Sequence, residues 1–372
     1  LKPCLPAGRY GLPKEKKMIR VGLLASLKSG ENKLDFAKYG HYRKLRKLRK
    51  IIRDGNIGKA YITGKSNDYL QEVETQVKLL CRDKPDVVAL YCGDGGMLSF
   101  LTALEKYWPE KNLPLIAHPK GGSFGVVAKR LRITDHFVYL KHIVESDSVN
   151  DLTVEAIKMM HVRDDSGYTH LSFSVGMGFP VTLLSEINQK KHLKNIRTAE
   201  IVARTLFSAI FNGEYHKRYD TKHRILATIE NFAGEIKTEE ADWLAILCQS
   251  LNSLGVPGWA PKPRIFRKAE KTDDAFHTVG ATIDIKKFLL NLPVIYAGES
   301  GTYRDTDTNE NERILRLDKQ TRSLKLQSEK PFLYQSCGEL SFGEKPCLTR
   351  ELHIGGCKKI LFIGEEANTN KK

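Results

Sequence analysis

The sequence has no apolar run approaching the ~20 residues that cross a bilayer as a helix. It also has no charged-then-apolar leader ending in a small-residue cleavage site. Acidic residues are in deficit: 44 Asp and Glu stand against 60 Lys and Arg, a formal net charge of +16. That excess attracts an anionic partner, whether nucleotide, acidic lipid surface or nucleic acid. Cysteine is sparse and scattered. Cys4, Cys81, Cys92, Cys248, Cys337, Cys347 and Cys357 form no CxxC pair, which argues against a disulfide framework or zinc site and for reduced thiols in a cytoplasmic setting. There is no internal repeat and no low-complexity tract. Zinc-finger spacing and an aromatic RNA-recognition signature are missing too, and the basic residues are dispersed, so no specific nucleic-acid partner is expected.

What is present centres on residues 87–133. Val87 to Leu90 is a continuous apolar run, suited to a strand buried on both faces. It stops at Cys92-Gly93-Asp94-Gly95-Gly96, and Met97, Leu98, Leu101 and Leu104 then recur at helical spacing. A second apolar strand, Leu115 to Ala117, runs into Pro119-Lys120-Gly121-Gly122-Ser123 and a helical pattern ending near Leu131. Each strand–glycine turn–helix unit offers backbone N–H groups and a positive helix end to a phosphate. Asp94 reads either as a Mg²⁺-network carboxylate or as a cap of the following helix. Lys28 and Lys120 read either as charge near phosphates or as plain surface lysines.

These residues also carry a resemblance. CGDGGMLSFLTAL resembles the GGDGT-plus-helix segment of the diacylglycerol kinase catalytic-domain superfamily, which includes sphingosine, ceramide and bacterial lipid kinases. HPKGGSFGVVAKRLRI resembles that family's second segment, P-x-G-T-x-N followed by a short helix. GGDGT also occurs in NAD kinases and phosphofructokinases; the second segment favours the lipid-kinase branch. The resemblance extends to Lys28-Ser29-Gly30 after the first strand, to Ser174–Phe179, to Gln249–Pro263, and to a closing hairpin in 330–363.

Along the chain, residues 1–17 read as an extension ahead of the first strand, which begins near Met18. Tyr42 to Arg53 is a strongly basic amphipathic helix, with Leu45, Leu48 and Ile52 on one face. It reads as a membrane-surface contact or, more commonly for such a pattern, as an outer helix with a solvated basic face. Ala60–Thr63 reads as a strand and Asp68–Leu80 as a helix. After Ile133 short strand-like segments alternate with polar turns, and Ile196–Ala209 is the convincing helix, a pattern that suggests a β-sandwich. The expected fold is therefore an α/β N-terminal domain (Rossmann-like, NAD kinase/diacylglycerol kinase type) over 18–140 plus a C-terminal β-sandwich over 141–364. The last strands return towards the first domain, and 365–372 form a tail.

The resemblance implies phosphate transfer from ATP, with Mg²⁺, to a lipid hydroxyl of diacylglycerol or sphingoid type. It implies nucleotide contacts at Ser29, Gly30, Thr63, Gly93, Asp94, Gly95, Gly96, Gly121, Gly122 and Ser123, with Asp94 on the metal. It also implies a cytoplasmic protein attached peripherally to an anionic membrane surface; an edge strand could pair two copies into a homodimer.

At least four family positions differ. The Thr after GDG is Gly96, and the Thr of the second motif is Gly122. The Asp-Gly pair of the second half is altered at Asp273-Asp274-Ala275. Cys337 stands where the family's Asp-Gly-Glu triplet supplies the catalytic base, leaving Glu339 as a substitute one strand repeat away. An unperturbed thiol is mostly protonated near neutral pH and binds Mg²⁺ poorly. Two readings follow: a lipid kinase using Asp94 and Glu339, or a pseudokinase that binds lipid or nucleotide without turnover.

Overall fold

The structure is a computed structural model. It describes residues 19–28, 36, 38, 42–54, 59–119, 126–189, 194–251, 266, 268–269, 272–297, 302–304, 311–342 and 345–364. The first part alternates strand and helix: β1 (Val21–Ser26), α1 (Arg43–Asp54), β2 (Ala60–Thr63), α2 (Tyr69–Asp83), β3 (Val87–Tyr91), α3 (Asp94–Tyr107), β4 (Leu115–Ala117), α4 (Val126–Arg130) and α5 (His136–Glu145). β1 and β3 are buried at every position, as expected of strands covered by helices on both faces. All four strands are parallel, in the order β4-β3-β1-β2. Their carboxyl ends therefore open on one edge, where ligands of open parallel sheets bind.

The second part carries β5 (Val154–Asp164), β6 (Thr169–Ser172), β7 (Ser174–Gly178), α6 (Phe179–Gln189), α7 (Lys194–Ile210), β8 (His223–Asn231), β9 (Ile236–Trp243), β10 (Ala245–Gln249), β11 (Phe276–Ala281), α8 (Ile285–Leu290) and α9 (Leu292–Ala297). Two two-stranded ladders, β12 (Thr302–Arg304) with β13 (Asn311–Arg313) and β15 (Ser341–Phe342) with β16 (Lys345–Pro346), accompany two long strands, β14 (Leu317–Ser336) and β17 (Leu348–Ile363).

Those two long strands join the halves. β14 pairs antiparallel with β17, β11, β8 and β7. β17 pairs along its length with β5 and, at Phe362 opposite Ile116, lies parallel to β4. The result is one mixed sheet of 13 strands, parallel at one end and antiparallel elsewhere. The expected parallel α/β unit is present. The strands of the second half, read from sequence as a set of short segments, belong to this same sheet, and β14 and β17 run for 20 and 16 residues. Sequence periodicity had located only short stretches of each, because charged and polar residues interrupt the apolar alternation in both.

The main core is continuous across the join, from Val21 and Leu24 through Phe100 and Met160 to Leu352 and Phe362. A smaller core lies under α6 to α8, around Tyr219, Phe266, Val279 and Phe288. The helices α6, α8 and α9 had no convincing sequence signal. α8 and α9 have six residues each, and α6 follows directly on the buried strand β7. Among the described residues no helix is long and apolar enough to cross a membrane.

Candidate functional site

The site is built at the carboxyl ends of β1, β2 and β3. The chain leaves β3 through Cys92 and Gly93, and α3 begins at Asp94, three residues earlier than the apolar spacing implied. Gly93 is the N-cap and makes no side-chain cap bond. Asp94 therefore lies inside the first turn, where its charge meets the positive helix end, and the capping role is excluded. Its carboxylate is 8% exposed and accepts from the Val126 N–H at the start of α4, 3.5 Å away. That bond ties the two strand–glycine turn–helix units together through one side chain.

Gly95 and Gly96 fall in the first helical turn rather than in a loop, and neither has positive φ. Their value is close approach. A Cβ on Gly95 would lie 2.5 Å from Glu339 Cγ and 2.6 Å from its Oε1. A Cβ on Gly96 would lie 2.9 Å from Cys92 Cβ and 3.4 Å from the Tyr69 hydroxyl. Glu339 is thus folded down onto the first turn of α3, beside Asp94, although the two residues come from opposite ends of the chain. A side chain as large as the Thr of a GGDGT motif does not fit at 96 beside Cys92 without a shift.

The geometry expected at the closing hairpin is not there. Cys337 and Glu339 are not neighbours on one strand. Cys337 (φ 51°) and Gly338 (φ 81°) are the centre of a two-residue turn, with reciprocal backbone bonds of 3.0 Å between Ser336 and Glu339. Positive φ at both central residues is the primed hairpin turn that favours Asp-Gly or Asn-Gly. Cys at such a position is uncommon. The turn reverses the chain and sends the Glu339 side chain towards α3.

The Cys337 thiol points the other way, into protein. Ser172 Oγ is 3.2 Å from Sγ, the Phe173 N–H donates to Sγ at 3.4 Å, and Cys337 N–H donates to the Ser174 carbonyl at 2.7 Å. Desolvation pushes the thiol up to about 12, so at neutral pH it holds its proton and is no base. The turn rests on a buried polar network. Ser336 Oγ donates to Ser172 Oγ at 2.8 Å, His170 Nε2 lies 3.1 Å from Ser336 Oγ, and Gly338 N–H donates to Gln335 Oε1 at 2.6 Å.

Thr63 ends β2 where the resemblance placed it, but it is fully buried and its hydroxyl donates to the Ala25 carbonyl at 3.4 Å. It supports the floor of the site. Sequence reasoning missed Tyr69, whose hydroxyl reaches Ser26 Oγ at 3.5 Å and faces Gly96. Burial raises its phenol well above the ordinary range. Lys28 lies over the mouth: its ammonium is 5.5 Å from the Tyr69 ring centroid and donates to the Ser66 carbonyl at 3.2 Å. His118, between β4 and the second glycine turn, is buried with Nδ1 3.0 Å from the Leu90 carbonyl, and burial lowers it to about 4. It stays neutral.

Ser29, Gly30, Lys120, Gly121, Gly122 and Ser123 lie outside the described residues, as does most of the Gln249–Pro263 loop. Asp273 and Asp274 form ion pairs with Lys359 (2.6 Å) and Arg322 (3.3 Å), so these two carboxylates are engaged elsewhere. Only sequence-distant packing could have revealed Tyr69, Ser172 and Ser336, since each is an ordinary core or strand residue in its local context.

The residues present fit a nucleotide with a divalent metal. Asp94 opens α3, and Glu339 packs against Gly95 in the same first turn. Among the described residues no group of three or more His, Cys, Asp or Glu side chains could hold a metal. Mg²⁺ is ordinarily held by one or two carboxylates, with waters and phosphate oxygens completing the shell.

The arrangement belongs to a recognisable class: the fold is that of diacylglycerol kinase-like proteins. A structure of a diacylglycerol kinase from Bacillus anthracis strain Sterne superposes with TM-score 0.54 at 13% identity, covering 94% of this chain and 98% of that one. Two further structures from the same strain, of proteins provisionally assigned as diacylglycerol kinases, superpose with TM-scores of 0.57 and 0.59 at 13% identity. They cover 94% of this chain and 97% and 98% of theirs. No family model and no curated protein matches the chain. The sequence resemblance to the diacylglycerol kinase superfamily therefore holds at the level of fold.

Proposed function

We propose that this protein is a lipid kinase-type phosphotransferase that moves the γ-phosphate of ATP to a lipid hydroxyl. The observation that carries the reading is that Glu339 packs against Gly95, the residue after Asp94 in the first turn of α3. Bound Mg²⁺ supplies charge neutralisation for the transferring phosphate. Asp94, anchored to α4, holds the metal. Glu339, an exposed residue just after a tight turn, orients the acceptor hydroxyl and takes its proton. Cys337 does neither, because its thiol is turned inward and protonated. In this reading the site lies in a cleft between a nucleotide unit, residues 18–140, and a lipid unit, residues 141–364.

A second reading has a specific observation behind it. The family's base position is filled by a protonated thiol, which suits a protein that binds nucleotide or lipid without turnover. Mg²⁺-dependent transfer from labelled ATP to diacylglycerol, sphingosine, ceramide and phosphatidylglycerol separates the two. Transfer by the parent that vanishes in Asp94→Asn and in Glu339→Gln supports the kinase. Transfer that appears only in Cys337→Asp supports the binding protein. No transfer by any variant and no ATP binding by calorimetry overturns both.

A further inference from the structure

The segment that leads into β11 is tied down by cations from three strands of the sheet. Lys359 of β17 pairs with Asp273 at 2.6 Å, and Arg322 of β14 pairs with Asp274 at 3.3 Å. The third cation is Lys158 of β5. Its side chain is buried, and its ammonium donates to the backbone carbonyls of Ala269 at 2.6 Å, of Thr272 at 2.5 Å and of Ala275. Ser250 Oγ, just after β10, donates to the Lys158 carbonyl at 2.6 Å, so the backbone under this side chain is fixed as well.

A lysine at this place is costly unless something holds it. Lys158 lies directly opposite Lys359 in the β5–β17 ladder, and like charges at opposed positions destabilise a sheet. Burying an ammonium without partners costs far more. Three carbonyl oxygens about one nitrogen call for three N–H donors, which the ammonium form has. The backbone of the segment is turned to suit: the Lys268 carbonyl also faces the sheet and accepts from Gln320 Nε2 at 3.0 Å. Asp273 is held below the usual carboxylate range by its bond to Lys359 first, and by the charge of Lys158 last.

Backbone carbonyls converging at roughly 2.3–2.6 Å are what a hard cation takes in place of its hydration shell. We propose that the carbonyls of Ala269, Thr272 and Ala275 form a cation site of the class that takes K⁺ or a primary ammonium, and that Lys158 is its built-in occupant. The chain's own ammonium, rather than a metal ion, then fixes the approach to β11. That strand carries His277, whose Nε2 lies 2.6 Å from Asp318 Oδ1.

The experiment needs neither nucleotide nor acceptor. In Lys158→Ala the missing atoms amount to n-propylammonium, so that cation can refill the cage. Melting temperature is measured on the full chain, alone and with the chlorides of n-propylammonium, K⁺ and tetramethylammonium at equal ionic strength. Lys158→Ala is expected to melt lower by roughly 5–10 °C, the scale of a broken buried polar network in a chain of this size. n-Propylammonium should restore most of that loss by binding the folded state. K⁺ should restore less, and tetramethylammonium, which has no N–H, none. The parent and Lys158→Met, whose apolar stem fills the space, should respond to none of them. Hydrogen exchange from Thr272 through β11 should follow the same order.

Any of three results overturns the proposal. One is a Lys158→Met variant as stable as the parent, which would make the ammonium dispensable. Another is a destabilised Lys158→Ala that ignores both n-propylammonium and K⁺. The third is slower exchange in this segment of the parent on adding K⁺ or Mg²⁺, which would put a metal ion where Lys158 is assigned. Should Lys158→Ala be recovered only unfolded, refolding from urea with n-propylammonium and not with tetramethylammonium supports the site; no refolding with either overturns it.

Discussion

The glycine turn after β3 and the closing hairpin after β14 meet over Gly95, yet they are held in place by different means. At the first, a fully buried strand feeds directly into a helix, and Asp94 follows its N-cap by one residue. Neighbours in sequence set that position. At the second, a turn with two residues at positive φ is held locally by Gln335 and, from far along the chain, by Ser172, Ser174 and His170. Neighbours in space set that one. The first position follows from the direction of the local chain, and the second from contacts made across the fold, two of them to the Cys337 sulfur itself.

The strongest way to break the comparison is to remove one carboxylate at a time. Asp94→Asn is expected to lower ATP-to-lipid transfer by roughly 100- to 1,000-fold, the scale of losing a fixed electrostatic group in a reaction centre. Gly95→Ala should lower it less, by about 10- to 100-fold, because the new methyl displaces Glu339 while the helix gains a better helix former. Melting temperature measured beside the rates separates the two: Gly95→Ala should keep it, and a large fall would mean that Glu339 is structural.

The next largest effect concerns acid. His118 is neutral in the fold, with its value lowered from 6.5 to about 4 by burial. The unfolded chain takes up a proton below pH 6.5 that the folded chain refuses. Stability is therefore full above that pH and is lost as pH falls from about 6.5 to about 4, by roughly 3 kcal/mol. Urea midpoints across this window should fall in the parent and fall less in His118→Gln. Because His118 bonds the end of β3 at the Leu90 carbonyl, hydrogen exchange should rise around β3 and β4 before it rises at β14.

Smaller effects sharpen the contrast. Gly96→Thr restores the family residue but drives its Cβ into Cys92, and should cost roughly 1–3 kcal/mol as an overpacked site. Adding Cys92→Gly should recover most of it, a coupling readable in a double-mutant cycle. Cys337→Asp gains from a backbone that Asp accepts more readily than Cys, but sets a carboxylate in the desolvated niche of the thiol, and should cost roughly 1–3 kcal/mol. It should raise transfer with a pH profile that follows a carboxylate; a rate unchanged at every pH would show that Glu339 suffices.

Much of this was legible beforehand, and for physical reasons. Burial on both faces leaves an unbroken apolar string, so β1, β3 and β4 could be read residue by residue, and β2 lay where a strand was expected. Helical spacing located α1, α2 and α7. Glycine beside aspartate after a buried strand marked the turn at Asp94. Long strands with solvated edges, such as β14 and β17, carry no comparable pattern, and the short helices α8 and α9 are too brief for periodicity to show.

Sequence by itself determined the parallel α/β unit, the strand–turn–helix around Asp94, the cationic face of α1 and the list of altered motif positions. All follow from hydrophobic period and local turn chemistry, which act over a few residues. Only the tertiary structure decided that 13 strands form one sheet, that Glu339 lies on Gly95 beside Asp94, that the Cys337 thiol faces inward, and that Cys92 excludes a threonine at 96. Those outcomes depend on which distant groups are brought within a few ångströms, and close packing settles that only when the whole chain has folded.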